Sequence, residues 1–172
     1  IFDLVKQTIK NSPTAFNSQT VRVVVLFGKS SDKVWEIVED ALRKIAKSPD
    51  AFEQTKSKID SFKAGYGTIL YFTDTTIVHQ LENDYPSYAA NFANWAEQGL
   101  GGAQQAVWTA LAEQGIGASL QHYNPLIDDA IHQVFNLPAD WQLRAEMPFG
   151  SIEAPAGEKA QLDDEEMFKL IK

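Results

Sequence analysis

The segment Val21-Arg22-Val23-Val24-Val25-Leu26-Phe27 constrains this chain more than any other. It is short, β-branched and almost continuously apolar, the pattern of a strand covered on both faces rather than wet on one. The flanking sequence supplies the cover. Ile1, Leu4, Val5, Thr8 and Ile9 follow helical spacing up to Asn11, where Pro13 disfavours helical geometry in Ser12. After the strand, Gly28 and the Ser30-Ser31-Asp32 cluster end it and cap a helix whose stripe is Val34, Ile37, Val38, Ala41, Leu42 and Ile45. Pro49-Asp50 opens another helix, with Phe52, Ile59 and Phe62 on its inner side.

Gly65 and Gly67 bracket a turn before a second strand, Thr68 to Thr73. Asp74 to Gln98 reads as two helical pieces broken at Tyr85-Pro86, and a long helix runs from Gly102 to Glu113. Gly115-Ile116-Gly117 turns into a third strand from Ala118 to His122. Asn124-Pro125 starts a helix that Asn136-Leu137-Pro138 ends. Trp141 to Phe149 is a fourth strand, and the tail turns mildly helical from Asp163. Strands far apart among many helices, with no repeat or linker, predict one α+β domain over residues 1–172 with a single central sheet.

Composition narrows the function. Hydrophobic residues at 44% and charged residues at 22% are ordinary for a globular chain. No apolar run approaches the roughly 20 residues that span a bilayer, and no export signal opens the chain, so the expected compartment is the cytoplasm. A net charge of −8 argues against sequence-independent nucleic-acid binding, which needs a surplus of Lys and Arg. With no cysteine, thiolate metal sites and cysteine nucleophiles are excluded. The three histidines, His79, His122 and His132, have no zinc-binding spacing. There is no GxSxG elbow and no Walker loop. The third glycine of a dinucleotide fingerprint is replaced by Leu70 after Gly65-Tyr66-Gly67 and by Leu120 after Gly115-Ile116-Gly117. Asp163-Asp164-Glu165-Glu166 suits a helix start better than a cation. No residue is expected to be a catalytic nucleophile or a metal ligand.

Two segments carry more specific chemistry. In Ser12-Pro13-Thr14-Ala15-Phe16-Asn17-Ser18-Gln19, a carboxamide precedes a buried strand, and such a group both donates and accepts hydrogen bonds. The same letters also suit an ordinary turn. In Ala110 to Pro125 a helix passes through Gly115-Ile116-Gly117 into Ser119-Leu120-Gln121-His122-Tyr123. The first segment resembles the PSxxNxQ loop of the FMN-dependent nitroreductases, with Pro13, Thr14, Asn17 and Gln19 at the motif positions and Thr in place of the usual Ser. The second resembles that family's helix–GxG–strand passage. A third similarity runs from Met147-Pro148-Phe149-Gly150 to Lys159. The wording AFNSQ, AVWTAL, GASLQHYNP and MPFG resembles the small bacterial and fungal members, including those linked to fatty-acid signalling.

The resemblance implies a central, mostly antiparallel sheet flanked by helices, and an intertwined homodimer whose flavin sites use both subunits. It implies that Pro13, Thr14, Asn17 and Gln19 meet the flavin of FMN, that Gln121, His122 and Tyr123 lie along its ring, and that Lys159 meets its phosphate. In the family a second cation follows, where this chain has Gln161, and an Arg-Arg-Ser type motif lies on the N-terminal helix. No such motif precedes Ile1, so the N-terminal helix is expected to be truncated. Phe92 and Trp95 fall in the helical piece that often lines the substrate mouth. The implied activity is a ping-pong transfer of hydride from NADH or NADPH through the flavin to a nitroaromatic or quinone-like acceptor. The alternative is a flavin-sensing or regulatory protein of the same fold.

Overall fold

The structure, a computed structural model, describes residues 1–172. Strands β1 (Val21–Phe27), β2 (Gly67–Asp74), β3 (Gly117–Ala118) and β4 (Trp141–Gly150) form one antiparallel sheet in the order β1-β2-β4-β3. Around it lie α1 (Phe2–Asn11), α2 (Lys29–Ile45), α3 (Pro49–Lys63), α4 (Thr75–Asp84), α5 (Ala89–Glu113), α6 (Asp128–Phe135) and the short α7 (Asp164–Met167). No helix is long and apolar enough to cross a membrane.

The sheet divides two cores. On one face Leu26, Leu70, Phe72 and Leu143 pack with Val34, Trp35 and Val38 of α2, Ile59 of α3 and Ile131 of α6. On the other, Ile69, Tyr71, Ala145, Met147 and Phe149 pack with Val5 of α1 and with Leu100, Val107 and Leu111 of α5. β2 is buried at every position. β1 is covered on both faces as its apolar run requires, with Val24 and Leu26 in the first core and Val21, Val23 and Val25 in the second. Val21 to Val25 stay half-buried because β1 is the edge of the sheet within this chain.

Gly67 pairs with Phe27 and Phe149 where the three longer strands crowd. A Cβ there would sit 2.6 Å from both the Leu26 carbonyl oxygen and Cζ of Phe149. Between Tyr71 and Phe72 the β2–β4 register slips: Tyr71 faces Ala145, Phe72 faces Leu143, and Arg144 is the extra residue of a bulge.

Four expectations are corrected. α5 is one helix of 25 residues, continuous through Gly99, Gly101 and Gly102. Each glycine weakens a helix by roughly 1 kcal/mol. Burial of Phe92, Ala96, Leu100, Ala103, Val107 and Leu111 offsets that, and Gly99 admits Thr14, whose Cγ2 would lie 3.2 Å from an added Cβ. β3 is two residues long rather than running to His122. Ser119 donates to the Pro148 carbonyl at 3.2 Å, but Pro148 has no N–H to return, so the ladder lapses until Gln121 meets Glu146. Ser31 does not cap α2: its hydroxyl is buried, 2.7 Å from Thr68 Oγ1. α6 begins at Asp128, after a turn in which Leu126 donates to the Tyr123 carbonyl.

Candidate functional site

The expected site residues fall into two groups and one outlier. In the first group, Asn17 donates its backbone N–H to the Thr14 carbonyl at 3.0 Å, and Ser18 donates to that of Ala15. Gln19 donates its backbone N–H to Thr14 Oγ1 at 3.0 Å. A hydroxyl at position 14 is therefore what the loop needs, and threonine supplies it as serine would. The turn is tight enough to force Phe16, Asn17 and Gln19 to φ values of 57°, 51° and 49°, a region where a bulky side chain is uncommon. Asn17 and Gln19 stand exposed, and the Asn17 carboxamide makes no hydrogen bond within the chain.

The end of this loop is tied to the sheet. Arg22 donates to the Gln19 carbonyl at 2.7 Å and pairs with Asp74 at 2.8 Å. Asp74 also caps α4, accepting from the N–H groups of Thr76 and Ile77. Beside that pair, Glu97 of α5 accepts from Thr73 Oγ1 and pairs with Arg144 at 2.9 Å.

Phe16 is the hub of an aromatic cluster. Its ring stacks on Trp95 with centroids 6.0 Å apart and 18° between planes. It also meets Tyr85 at 5.0 Å, Phe92 at 5.3 Å and Tyr88 at 5.9 Å. Pro13, Thr14 and Trp95 line a groove of about 640 Å³ floored by Gly99 and Gly102. Phe92 is only 3% exposed and packs on Val78 and Ala96. It supports the cluster from below, while Phe16, Tyr85 and Tyr88 present the accessible surface.

In the second group, Gln121, His122 and Tyr123 run along β4, with His122 exposed and the other two half-buried. Gln121 exchanges both backbone bonds with Glu146, at 2.7 and 2.9 Å. Tyr123 lays its ring edge-on to Trp35, 6.2 Å between centroids, and burial raises its pKa. Lys159, the outlier, is exposed in the tail beyond β4.

Sequence reasoning missed the residue beneath the second group. The Glu146 side chain is fully buried, and its Oε2 accepts the Tyr123 N–H at 3.0 Å. Burial is the main force pushing its pKa up to about 8, with the Asp128 carboxylate adding to it. Around neutral pH Glu146 is therefore an uncharged acid. Oε1 of Glu146, Oδ1 of Asn124 and Oδ1 of Asp128 are buried without protein partners. The signal was present as one acidic letter inside the otherwise apolar stretch Ala145 to Phe149.

The nitroreductase family model matches residues 2–151. Among known proteins, HBN1 of Saccharomyces cerevisiae is 38% identical over 169 residues, covering 98% of this chain and 83% of that one. Nitroreductase FRM2 of the same yeast is 35% identical over 167 residues, covering 94% of this chain and 81% of that one. Among solved structures, nitroreductase CinD from Lactococcus lactis in complex with chloramphenicol superposes with a TM-score of 0.90 at 48% identity, covering 99% of this chain and 87% of that one. NfnB from Mycobacterium smegmatis, an FMN-dependent nitroreductase solved with NADPH, shares the fold with a TM-score of 0.73 at 12% identity, over 99% of this chain and 87% of that one. Antiparallel sheet, loop and passage thus occur together in a chain that belongs to the nitroreductase family of oxidoreductases.

Proposed function

We propose that the chain binds FMN and works as a homodimer, moving electrons from NADH or NADPH to small electron-poor acceptors such as nitroaromatics. The observation that carries this reading is the loop Pro13–Gln19. Three non-glycine residues hold left-handed backbone there, and the Asn17 carboxamide is left uncommitted beside an aromatic cluster. Strain of that kind costs of order 1–3 kcal/mol per residue and gathers where a ligand is held.

The donor set suits a flavin. The carboxamides of Asn17 and Gln19 match the alternating carbonyl and N–H edge of its pyrimidine. The main chain of Gln121–Tyr123 offers a fixed backbone edge, including the His122 N–H, which has no partner within the chain. Lys159 is the cation that would meet the phosphate. FMN, when bound, supplies the two-electron chemistry itself, so no nucleophile is needed from the protein. The residues bind and orient. Asn17 and Gln19 set the ring's polar edge, the Gln121–Tyr123 backbone sets its position, and Phe16 and Trp95 shape an aromatic mouth that keeps water from the acceptor.

A second copy fits the exposed apolar residues of the tail. Ile152, Leu162, Phe168, Leu170 and Ile171 are between 57% and 81% exposed, an unusual cost for a lone chain.

The test is optical. Titrating the protein with FMN should quench flavin fluorescence. The bound flavin should bleach with NADH or NADPH and recover when a nitroaromatic is added. Absence of flavin uptake, or uptake without bleaching, rules the reading out. Asn17→Ala should weaken FMN binding by about 1–3 kcal/mol, roughly five- to 150-fold, with far-UV circular dichroism unchanged. Unaltered affinity and reduction potential would reduce the loop to a turn.

A further inference from the structure

We propose that Glu146 is a positioning residue: its main chain and its carboxyl group together clamp the Gln121–Tyr123 backbone where that backbone meets the flavin. The proposal rests on the flavin reading above.

Three hydrogen bonds to one residue hold Gln121 and Tyr123, on either side of His122, in a segment where continuous sheet pairing has lapsed. Two are the reciprocal bonds with Gln121, and the third runs from the Tyr123 N–H to Glu146 Oε2. Upstream, Pro148 cannot donate, so the ladder gives this stretch only one bond between Ala118 and Gln121. Downstream the chain leaves the sheet for the turn ahead of α6. The side-chain bond therefore stands in for the ladder bond that a longer β3 would have made. A buried carboxyl group in an apolar strand is costly unless it is bonded or neutral. Glu146 is both in part, since Oε2 has its donor and the raised pKa keeps the group protonated.

The neighbourhood supports a neutral acid. From α6, Asp128 faces Glu146 and disfavours its ionisation, and its own pKa is raised, chiefly by burial. From the segment itself comes the Tyr123 hydroxyl, also shifted upward. Arg144, two residues along β4, is turned to Glu97. His132 of α6 faces the carbonyl oxygens of Asp128 and Trp141. Across the sheet stands Leu70, and from α2 comes Trp35, which bonds to Thr68. None of these offers Glu146 a cation. It is held as an acid that accepts one backbone proton donor.

Amide hydrogen exchange tests the clamp without any cofactor. In the wild-type chain the Tyr123 amide should be protected, and the His122 amide, which has no partner, should exchange fast. Equal rates for the two would overturn the clamp with no variant needed. In Glu146→Leu the Tyr123 amide should exchange at least about tenfold faster, and FMN affinity should fall by roughly tenfold. Glu146→Gln keeps a neutral acceptor of the same shape, so it should stay near wild type in both readings. Fast Tyr123 exchange or weak FMN binding in that variant would contradict the proposal. So would Glu146→Leu with unchanged exchange and an unchanged flavin absorption band. Faster exchange in Glu146→Leu, with no FMN taken up even by the wild type, would instead refute the flavin reading and the clamp's cofactor role with it.

Discussion

Trp35→Ala should lower stability by about 3–5 kcal/mol, the range for removing a large aromatic side chain from a packed core. For a chain of this size that is a fall in melting temperature of roughly 6–20 °C. The indole is fully buried, donates from Nε1 to Thr68 Oγ1 at 2.9 Å, and meets Phe62 at 5.1 Å and Tyr123 at 6.2 Å between ring centroids. It therefore joins α2 to β2, to α3 and to the segment beside β4. Losing it opens a cavity and strips the Thr68 hydroxyl of one of two partners, leaving Ser31. Trp35→Phe fills most of the space and should cost far less. Thermal unfolding followed by circular dichroism measures both, and a fall of under about 3 °C for Trp35→Ala would contradict the packing described.

A second large effect is a slope of stability against pH. Glu146 titrates near 4.5 when unfolded and near 8 in the native chain. Below about pH 4.5 it is protonated in both states, and its contribution is fully present. Between the two values the unfolded chain releases a proton that the native chain keeps, so stability falls as pH rises. Above about pH 8 that contribution is gone. Each pKa unit of the shift corresponds to roughly 1.4 kcal/mol, so the loss amounts to several kcal/mol across the window. Glu146→Gln has no such proton to keep. Its stability relative to wild type should climb steadily from pH 5 to 8 in urea titrations, whereas parallel curves would show that Glu146 ionises normally. Asp128 shifts in the same direction, chiefly through burial, so the variant keeps a slope of the same sign.

The elements most legible in the sequence are those whose pattern is local. The valine run of β1, the stripe of α2 and the inner side of α3 each follow from side-chain period and polarity alone. The loop at Asn17 was legible as a motif but not as a shape. Asparagine tolerates left-handed backbone, but nothing in the letters Phe16 and Gln19 announces it; the Gln19 N–H is drawn to the Thr14 hydroxyl and the Phe16 ring packs into the aromatic cluster. The continuity of α5 was hidden for a similar reason. Three glycines read as a break until the core beneath them is known. Pro148 marked itself as a residue without a donor, but which neighbour would miss that donor depends on register. Glu146 was the hardest to read. An acidic letter in a strand is ordinarily solvated, and only the packing of α6 and the Tyr123 segment over it makes it an uncharged interior group.

The bulge at Arg144 has a consequence for how β4 can vary. An uninterrupted strand alternates with period two, so residues an even number apart share a face. Leu143 and Ala145 do not: the first packs with Phe72 towards α2 and α6, the second with Tyr71 towards α1 and α5. The extra residue shifts the phase of the alternation by half a period, and everything beyond it inherits the shift, Glu146 included. Deleting one residue there would restore the simple wave by exchanging the faces of half the strand, sending a carboxyl group among the methyl groups under α5 or a leucine out of the opposite core. Removing a pair would preserve parity but shorten the strand. Selection on β4 is thus stricter on its count of residues than on their identity, and homologous sequences should align through this strand without single gaps.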